Sequence, residues 1–291
     1  MHNPKPTYLL IRETDYIYDD YEELVSAYTI YTYDAAGRLI EKVVTEYDLD
    51  ERDEDETPIS VFRKDCYERD AAGNVVKRLE YDETGALVKT VVAEYDARGH
   101  KTRECYFKPD GSPLDCFMHE YDAAGRHVRR EWRTASGELR DYRTWTYDDA
   151  GRVLQETQGG ADGVARETLH YEYDAEGRPV KRLTYNRDGA LTQEQQSTYA
   201  AHAQPIEQTT RVLRRPGEWN ISRAVYDYDA RGRTSAITRR TDTGLLLTRD
   251  VYEYDAHGNK VKAVEYTDEE QAYPNFTVYE YRLLNNTYGG A

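Results

Sequence analysis

The sequence predicts an all-β fold, an up-and-down antiparallel meander of about twenty strands in a strongly twisted or curled sheet. Three observations predict it: two interleaved series of regularly spaced glycines, tyrosine-rich strand-like segments between them, and a composition too polar for a thick core. Of the 291 residues, 38% are hydrophobic and 32% are charged, and there are 28 Tyr but only 4 Phe. Tyrosine favours strands and can cover a sheet face while its hydroxyl stays hydrated. We therefore expect a structure that is one sheet deep over much of its extent.

Two series of glycines divide the chain into hairpin repeats. The first series recurs every 26 residues within Asp-x-x-Gly turns and comprises Gly37, Gly73, Gly99, Gly125, Gly151, Gly177, Gly232 and Gly258. The second series lies half a period out of phase and comprises Gly85, Gly111, Gly137, Gly163, Gly189, Gly217 and Gly244. Each half period of about 13 residues then holds one strand and one turn. The regular spacing fails at a degenerate turn, Ala200-Ala201-His202-Ala203, and between Gly37 and Gly73, which are ten residues further apart than the period.

The chemistry of the Asp-x-x-Gly turn fits a three-residue hairpin loop. Its Asp accepts backbone N–H groups inside the turn, and its Gly adopts positive φ without a Cβ penalty. Such a loop pairs the Asp with the residue after the Gly, which is an arginine at Arg38, Arg126, Arg152, Arg178 and Arg233. An exposed Asp–Arg pair contributes only ~0–1 kcal/mol. Turn mechanics explain the motif, so it needs no catalytic interpretation.

The longer unit Tyr-x-Tyr-Asp-x-x-Gly-Arg, at residues 31–38, 171–178 and 226–233, resembles the YD repeats of bacterial Rhs and teneurin-type proteins. The resemblance covers residues 29–284. In that family the repeats wind into a hollow β-shell, which in bacterial members encloses a C-terminal toxin. The sequence here is far shorter than such a shell, contains no Asp-Pro and so no autoproteolytic aspartate motif, and has no toxin-like region after its last repeat. We expect a short repeat-only member that forms an open scaffold or a partial shell.

The predicted organisation is an acidic N-terminal cap at 1–28, the repeat domain at 29–284 and a short tail at 285–291. An acidic loop insertion at 48–57 accounts for the long interval between Gly37 and Gly73. Residues 1–60 hold 16 Asp and Glu against 5 Lys and Arg, so they carry −11 of the formal net charge of −16.

The acidic residues of this region are the first candidate binding site. They are Asp48, Asp50, Glu51, Asp53, Glu54, Asp55 and Glu56, with Asp19, Asp20, Glu22 and Glu23. One interpretation is a solvated loop that keeps a sheet edge soluble. The other is a docking surface for a basic protein, which would gain association rate from electrostatic steering. Calcium binding is disfavoured because no glycine provides the sharp turn of an EF-hand loop.

The aromatic residues give a second candidate surface. Tyrosines at equivalent positions of successive repeats should form cross-strand ladders worth ~0.2–1 kcal/mol per contact, which would simply hold a thin sheet together. Recognition of a protein or a carbohydrate is the alternative interpretation, with Trp132, Trp145 and Trp219 as the residues to test.

The cysteines and the N-terminal residues are the features that indicate the cellular compartment of the protein. A three-residue loop at Pro109–Gly111 pairs Cys105 with Asp115, which places the thiols of Cys105 and Cys116 on opposite faces, so we expect free thiols. The N-terminal residues lack an apolar signal-like stretch, and no run is long enough to span a membrane as a helix. We therefore expect a cytoplasmic protein without membrane insertion.

No motif indicates catalysis, a metal site or a cofactor. His119 and His127 are predicted to approach diagonally across a hairpin together with Glu120, too little for an enzymatic assignment. The acidic balance also argues against nucleic acid as a partner. We expect a non-enzymatic protein-binding scaffold, most concretely an immunity or accessory protein that occludes a basic, for example nuclease-like, toxin domain. The alternative is a structural or surface Rhs-like repeat module, with carbohydrate binding through its Tyr and Trp faces as one option.

Overall fold

In the computed structural model, residues 8–19, 22–52, 58–200, 204–267 and 274–284 are described. Their regular structure consists of twenty β-strands, in agreement with the predicted all-β meander. The first ten are β1 (Tyr8–Asp19), β2 (Glu22–Tyr33), β3 (Leu39–Arg52), β4 (Pro58–Arg69), β5 (Val75–Tyr81), β6 (Leu87–Tyr95), β7 (Lys101–Phe107), β8 (Pro113–Tyr121), β9 (His127–Arg133) and β10 (Leu139–Tyr147). The others are β11 (Val153–Gly160), β12 (Ala165–Tyr173), β13 (Pro179–Asn186), β14 (Leu191–Tyr199), β15 (Pro205–Arg215), β16 (Glu218–Tyr228), β17 (Thr234–Thr241), β18 (Leu246–Tyr254), β19 (Lys260–Tyr266) and β20 (Asn275–Leu283).

The two glycine series form the turns at the two ends of the strands, as predicted. All fifteen of these glycines have positive φ, between 72° and 94°. In the turn after β8, the Asp122 carboxylate accepts hydrogen bonds from the backbone N–H groups of Ala124 and Arg126, both at 2.9 Å. The degenerate turn keeps the same frame, because Ala200 N–H donates to the Gln204 carbonyl at 2.9 Å. We call the end with the first glycine series the YD rim and the other end the opposite rim.

The sheet closes on itself, so the chain is not the open scaffold or partial shell that we expected from the resemblance to YD repeats. Each strand pairs with its neighbour in the chain, and β1 also pairs with β20, for example through Thr14 and Val278. Each repeat is displaced along the sheet relative to the one before it. Glu120 pairs with Arg129, and Arg129 pairs with Thr144. The residue equivalent to Glu120 one repeat later is Thr146, so the pairing is offset by two residues per repeat. Such a stagger tilts the strands of a closed barrel. Twenty tilted strands ~4.8 Å apart give a circumference on the order of 120 Å, which leaves a lumen that side chains do not fill.

The wall is one sheet thick, as the composition predicted. None of the large side chains of the described residues is completely buried. The accessible surface is 18487 Å² for a 33.8 kDa chain. A compact monomer of that mass would expose about 13,000 Å². The excess surface is the consequence of a hollow architecture with water on both sides of the wall.

Nearly every turn is followed by a β-bulge, a feature that the sequence analysis missed. After the turn that ends β8, Tyr121 pairs with His127 but Glu120 pairs with Arg129, so Val128 is an additional residue in β9. The same one-residue shift recurs after turns at both rims. A bulge bends the strand and increases its twist. Repeated once per strand, it changes which side chains face each other beyond each turn.

The second tyrosine of the motif connects neighbouring hairpins at the YD rim. Its hydroxyl donates to the carbonyl of a residue at the start of the preceding odd-numbered strand, where the backbone ladder has ended. The bonds run from Tyr33 to Leu10, Tyr95 to Val75, Tyr121 to Lys101, Tyr147 to His127, Tyr173 to Val153, Tyr199 to Pro179, Tyr228 to Pro205 and Tyr254 to Thr234. At the turn where Arg69 replaces this tyrosine, its guanidinium donates to the equivalent Leu39 carbonyl at 3.0 Å.

The motif arginine completes this connection. Arg152 pairs with Asp148 of its own turn at 2.6 Å, and its guanidinium lies 4.8 Å from the ring centre of Tyr173 in the next repeat. The same arrangement joins Arg126 to Tyr147, Arg178 to Tyr199 and Arg233 to Tyr254. The YD motif therefore stabilises both its own turn and the contact with the following hairpin.

Candidate functional site

Two long, adjacent hairpins project from the opposite rim. β1, β2 and β4 have 12 residues and β3 has 14, whereas most other strands have 7 to 9. The pairing of β2 with β3 ends at Ala27 and Glu46, but β1–β2 pairing continues to Asp19–Glu22 and β3–β4 pairing continues to Arg52–Pro58. Beyond Ala27 and Glu46 the two hairpins therefore separate into two ribbons. We call the described residues of these ribbons, 16–19 with 22–25 and 47–52 with 58–60, the acidic prongs.

The prongs bring those predicted acidic residues that the structure describes to one end of the barrel. Asp48, Asp50 and Glu51 lie in the extended part of β3, so the start of the predicted insertion continues a strand. Asp19 ends β1, Glu22 begins β2, and the side chain of Glu23 is exposed. Four of the predicted residues, Asp53, Glu54, Asp55 and Glu56, lie outside the described residues, as do Asp20 and the tail at 285–291. Sequence-distant acidic segments thus lie on neighbouring hairpins.

Charged networks line both faces of the wall. We call the face that carries the YD tyrosines the tyrosine face. On it, buried Glu80 pairs with Arg78 at 2.7 Å and with Lys89 at 2.8 Å. On the other face, buried Glu194 pairs with Lys181 at 3.5 Å and also with Arg211. Burial opposes ionisation of Glu194, but these cations and Gln196 prevail and hold its pKa below the usual range. Neither face is a continuous apolar surface.

Two of the predicted tryptophans lie on the tyrosine face of adjacent strands. Trp132 packs against Phe117 with ring centres 6.0 Å apart, and Arg140 lies 5.2 Å from its ring centre. Trp145 stacks on His127 at 4.5 Å. Cross-strand register places Phe117 opposite Trp132 and Trp145 opposite Glu156. The pair therefore belongs to one aromatic surface spanning β8 to β10.

The third tryptophan is separate from this surface. Trp219 pairs with Leu213 near the tip of the β15–β16 hairpin, on the face opposite the tyrosines. The guanidinium of Arg211 lies 4.9 Å from its ring centre. The structure thus does not bring the three predicted tryptophans together. One side of each ring is occupied by a cation or an imidazole, which reduces the area open to a ligand.

Near the YD rim, imidazole rings join the aromatic surface, as the sequence only partly predicted. His100 stacks on Tyr121 at 4.7 Å, Tyr121 contacts His127 at 5.1 Å, and His127 contacts Trp145. His119 lies beside His127, which confirms the predicted diagonal approach. Glu120 was expected to join them, but it pairs with Arg129 on the other face because side chains alternate along β8.

The prediction of free thiols at Cys105 and Cys116 is wrong, because these residues form a disulfide with a Cα–Cα distance of 4.1 Å. The turn closes as predicted, with Phe107 opposite Pro113. Beyond it, however, two residues of β8 oppose Tyr106, and this bulge shifts the register by one residue, so that Cys116 faces Cys105. Disulfides persist mainly in oxidising compartments, so this crosslink does not favour the cytoplasmic location, which stays a prediction. Cys66 is a free thiol.

Across the described ranges, no group of three or more His, Cys, Asp or Glu side chains converges on a point where a metal ion could bind. The same part of the chain contains no helix that is long and apolar enough to span a membrane.

Comparisons with protein-family models and with curated proteins find no match for the chain. In structure the chain is similar to that of a TcdB2-TccC3-Cdc42 complex, with 13% identity, a TM-score of 0.44, and 84% of this chain and 16% of that chain covered. It is similar to the Tc holotoxin pore of Photorhabdus luminescens with a TccC3 mutation, with 13% identity, a TM-score of 0.45, and 82% and 14% covered. It is also similar to a porin-like protein from Bacteroides uniformis, with 12% identity, a TM-score of 0.44, and 96% and 99% covered. The chain thus spans a small part of the Tc toxin chains.

Proposed function

We propose that this chain is a non-enzymatic protein-binding scaffold that engages a basic protein domain with its two acidic prongs. The observation that carries the proposal is the separation of the β1–β2 and β3–β4 hairpins beyond Ala27 and Glu46. Two two-stranded ribbons thus lie at one rim, and the register of β2 with β3 does not extend between them. Acidic residues of both predicted segments lie in these ribbons, namely Asp19, Glu22, Glu23, Asp48, Asp50 and Glu51. Acidic surfaces steer basic partners to them and increase the rate of association.

The most concrete version is an immunity or accessory protein that occludes a basic toxin domain, such as a nuclease with a cationic cleft. Inhibition would be steric and electrostatic, because the prongs cover the positive surface that binds the phosphates of a nucleic acid. The polar wall supports a role in which the barrel is a rigid support for the prongs. The Rhs-like repeats support a toxin as the partner only by analogy.

The experiment measures binding of the chain to its basic partner, taken from affinity purification in the native host and tested first with the product of the adjacent open reading frame. The test variant reverses charge at Glu51 of the β3–β4 prong and at Asp53 and Glu54, which follow it closely in the sequence, each to Lys. The matched control reverses the same number of charges at three exposed acidic residues of ordinary hairpins at the same rim, Glu83, Glu138 and Asp188.

The proposal predicts that the prong variant weakens binding by at least about tenfold, that the control leaves it nearly unchanged, and that affinity falls steeply with salt. Binding that ignores both salt and the prong charges would contradict the proposal. A glycan array tests the carbohydrate alternative, in which Trp132→Ala, and not the prong variant, would abolish binding.

A further inference from the structure

The imidazoles of His119 and His127 lie side by side on the tyrosine face, near the YD end of the β8–β9 hairpin. Nδ1 of His119 is 3.1 Å from Nε2 of His127. The residues are diagonal neighbours, because His127 pairs with Tyr121, two residues from His119 on the same face. We propose that this histidine pair is a binding site for a transition-metal ion such as Zn²⁺, with two imidazole ligands from the chain and solvent in the remaining positions.

The distance between the two nitrogens is the first argument. Imidazole nitrogens bind Zn²⁺ at ~2.0–2.1 Å, so two nitrogens 3.1 Å apart subtend an angle of about 100° at a shared ion. That angle lies between the values for octahedral and tetrahedral coordination. An ion can therefore replace the hydrogen bond between His119 and His127 with little movement of either backbone.

The surroundings of the rings hold them in place. His127 lies between Trp145, stacked at 4.5 Å, and Tyr121 at 5.1 Å. The ring of His100 stacks on the same Tyr121 at 4.7 Å, but its Nδ1 is engaged by Asp96 at 3.0 Å. The pair is thus ordered by packing, and the chain contributes two ligands.

Two cations near the pair oppose a bound ion, Lys101 and Arg130. Lys101 is itself paired with Glu104.

The test is calorimetric titration of the full-length chain with ZnCl₂ at neutral pH, in a Cys66→Ser background so that the free thiol does not compete. The expected result is one site per chain that is weakened at least about tenfold by His119→Gln and by His127→Gln. The control His170→Gln should leave the affinity unchanged, because His170 is on the other face and contacts Tyr185 edge-on. Circular dichroism establishes that each variant is folded.

Equal Zn²⁺ affinity in the native chain and both variants, or equal loss in the His170→Gln control, would overturn the proposal. A second measurement needs no substitution and so does not depend on folding of the variants. Addition of paramagnetic Co²⁺ should shift or broaden the ring signals of His119 and His127 in NMR spectra before those of His170. Ring signals of the pair that stay unchanged would equally overturn it.

Discussion

The hydroxyl of Tyr147 donates a hydrogen bond of 2.6 Å to the backbone carbonyl of His127, the first residue of the neighbouring strand. The pairing of β9 with β10 has already ended at Arg129 and Thr144 on this side. The carbonyl would otherwise have only solvent as its partner. Since the same bond recurs around the YD rim, the motif tyrosine substitutes for the missing rungs of the ladder between hairpins.

Replacement of Tyr147 by Phe should therefore destabilise the barrel by about 1 kcal/mol, because a half-buried carbonyl loses its partner while the ring remains. The melting temperature should fall by roughly 2–4 °C. The matched control is Tyr226→Phe, whose hydroxyl donates no hydrogen bond within the described part of the chain. An equal loss in both variants would indicate that ring environment, and not the hydrogen bond, is responsible.

The stacked arginine gives a second prediction, Arg152→Lys. Lysine can keep the ion pair with Asp148 but loses the planar contact with Tyr173. We expect a loss of about 0.5–1 kcal/mol in urea unfolding. Arg38→Lys is the control. Arg38 also pairs with Asp34 of its own turn, at 2.7 Å, but it has no motif tyrosine to contact at the next turn, because Arg69 occupies that position. The free energy of unfolding should therefore fall by less in Arg38→Lys than in Arg152→Lys.

The turn aspartates should make the stability of the fold sensitive to acid. The Arg152 backbone N–H and guanidinium hold the pKa of Asp148 below its usual range. A carboxylate with a lowered folded-state pKa stabilises the fold above its unfolded value of about 3.8 and loses that contribution as the pH falls below it. Asp148→Asn should therefore be less stable than the native chain at pH 7, with the difference shrinking towards pH 3.

The urea midpoints of Asp148→Asn and the native chain, measured from pH 7 to pH 3, provide this comparison. Asn186 holds the same turn position naturally and accepts from Asp188 and Ala190 through its side-chain oxygen. An asparagine thus preserves the turn and removes only the ion pair. A difference that stays constant across the pH range would show that the charge of Asp148 contributes nothing.

Whether a feature of this fold could be predicted from the sequence depends on the range of the interactions that form it. The turns at glycines such as Gly125 were predictable because positive φ and the Asp122 hydrogen bonds are decided within five residues. Closure was not predictable, because pairing of Thr14 with Val278 depends on stagger accumulated over every repeat. The separation of the prongs was not predictable either, because it depends on where β2 and β3 stop pairing.

The link between hairpins was also missed, although its signal is present in the sequence. The motif tyrosine and its acceptor are 20 residues apart, as in Tyr173 and Val153. The interval is constant across most repeats, so an alignment of repeats with each other could have suggested a contact. The tyrosine was instead assigned to cross-strand ladders, because alternation along a strand shows the face of a side chain and not the reach of its hydroxyl.

The disulfide offers the sharpest test of the bulged register. The chain has three cysteines, so a protein with the Cys105–Cys116 bond should show one reactive thiol when unfolded without reductant and three after reduction. For a bond that closes a loop this short, reduction should destabilise the fold by about 2–3 kcal/mol. Cys66→Ser is the control. Its stability should still depend on reductant, because Cys66 is not part of the disulfide. Three reactive thiols in protein purified from an oxidising compartment would contradict the register, since a bulge that places Cys116 opposite Cys105 makes their oxidation geometrically favourable.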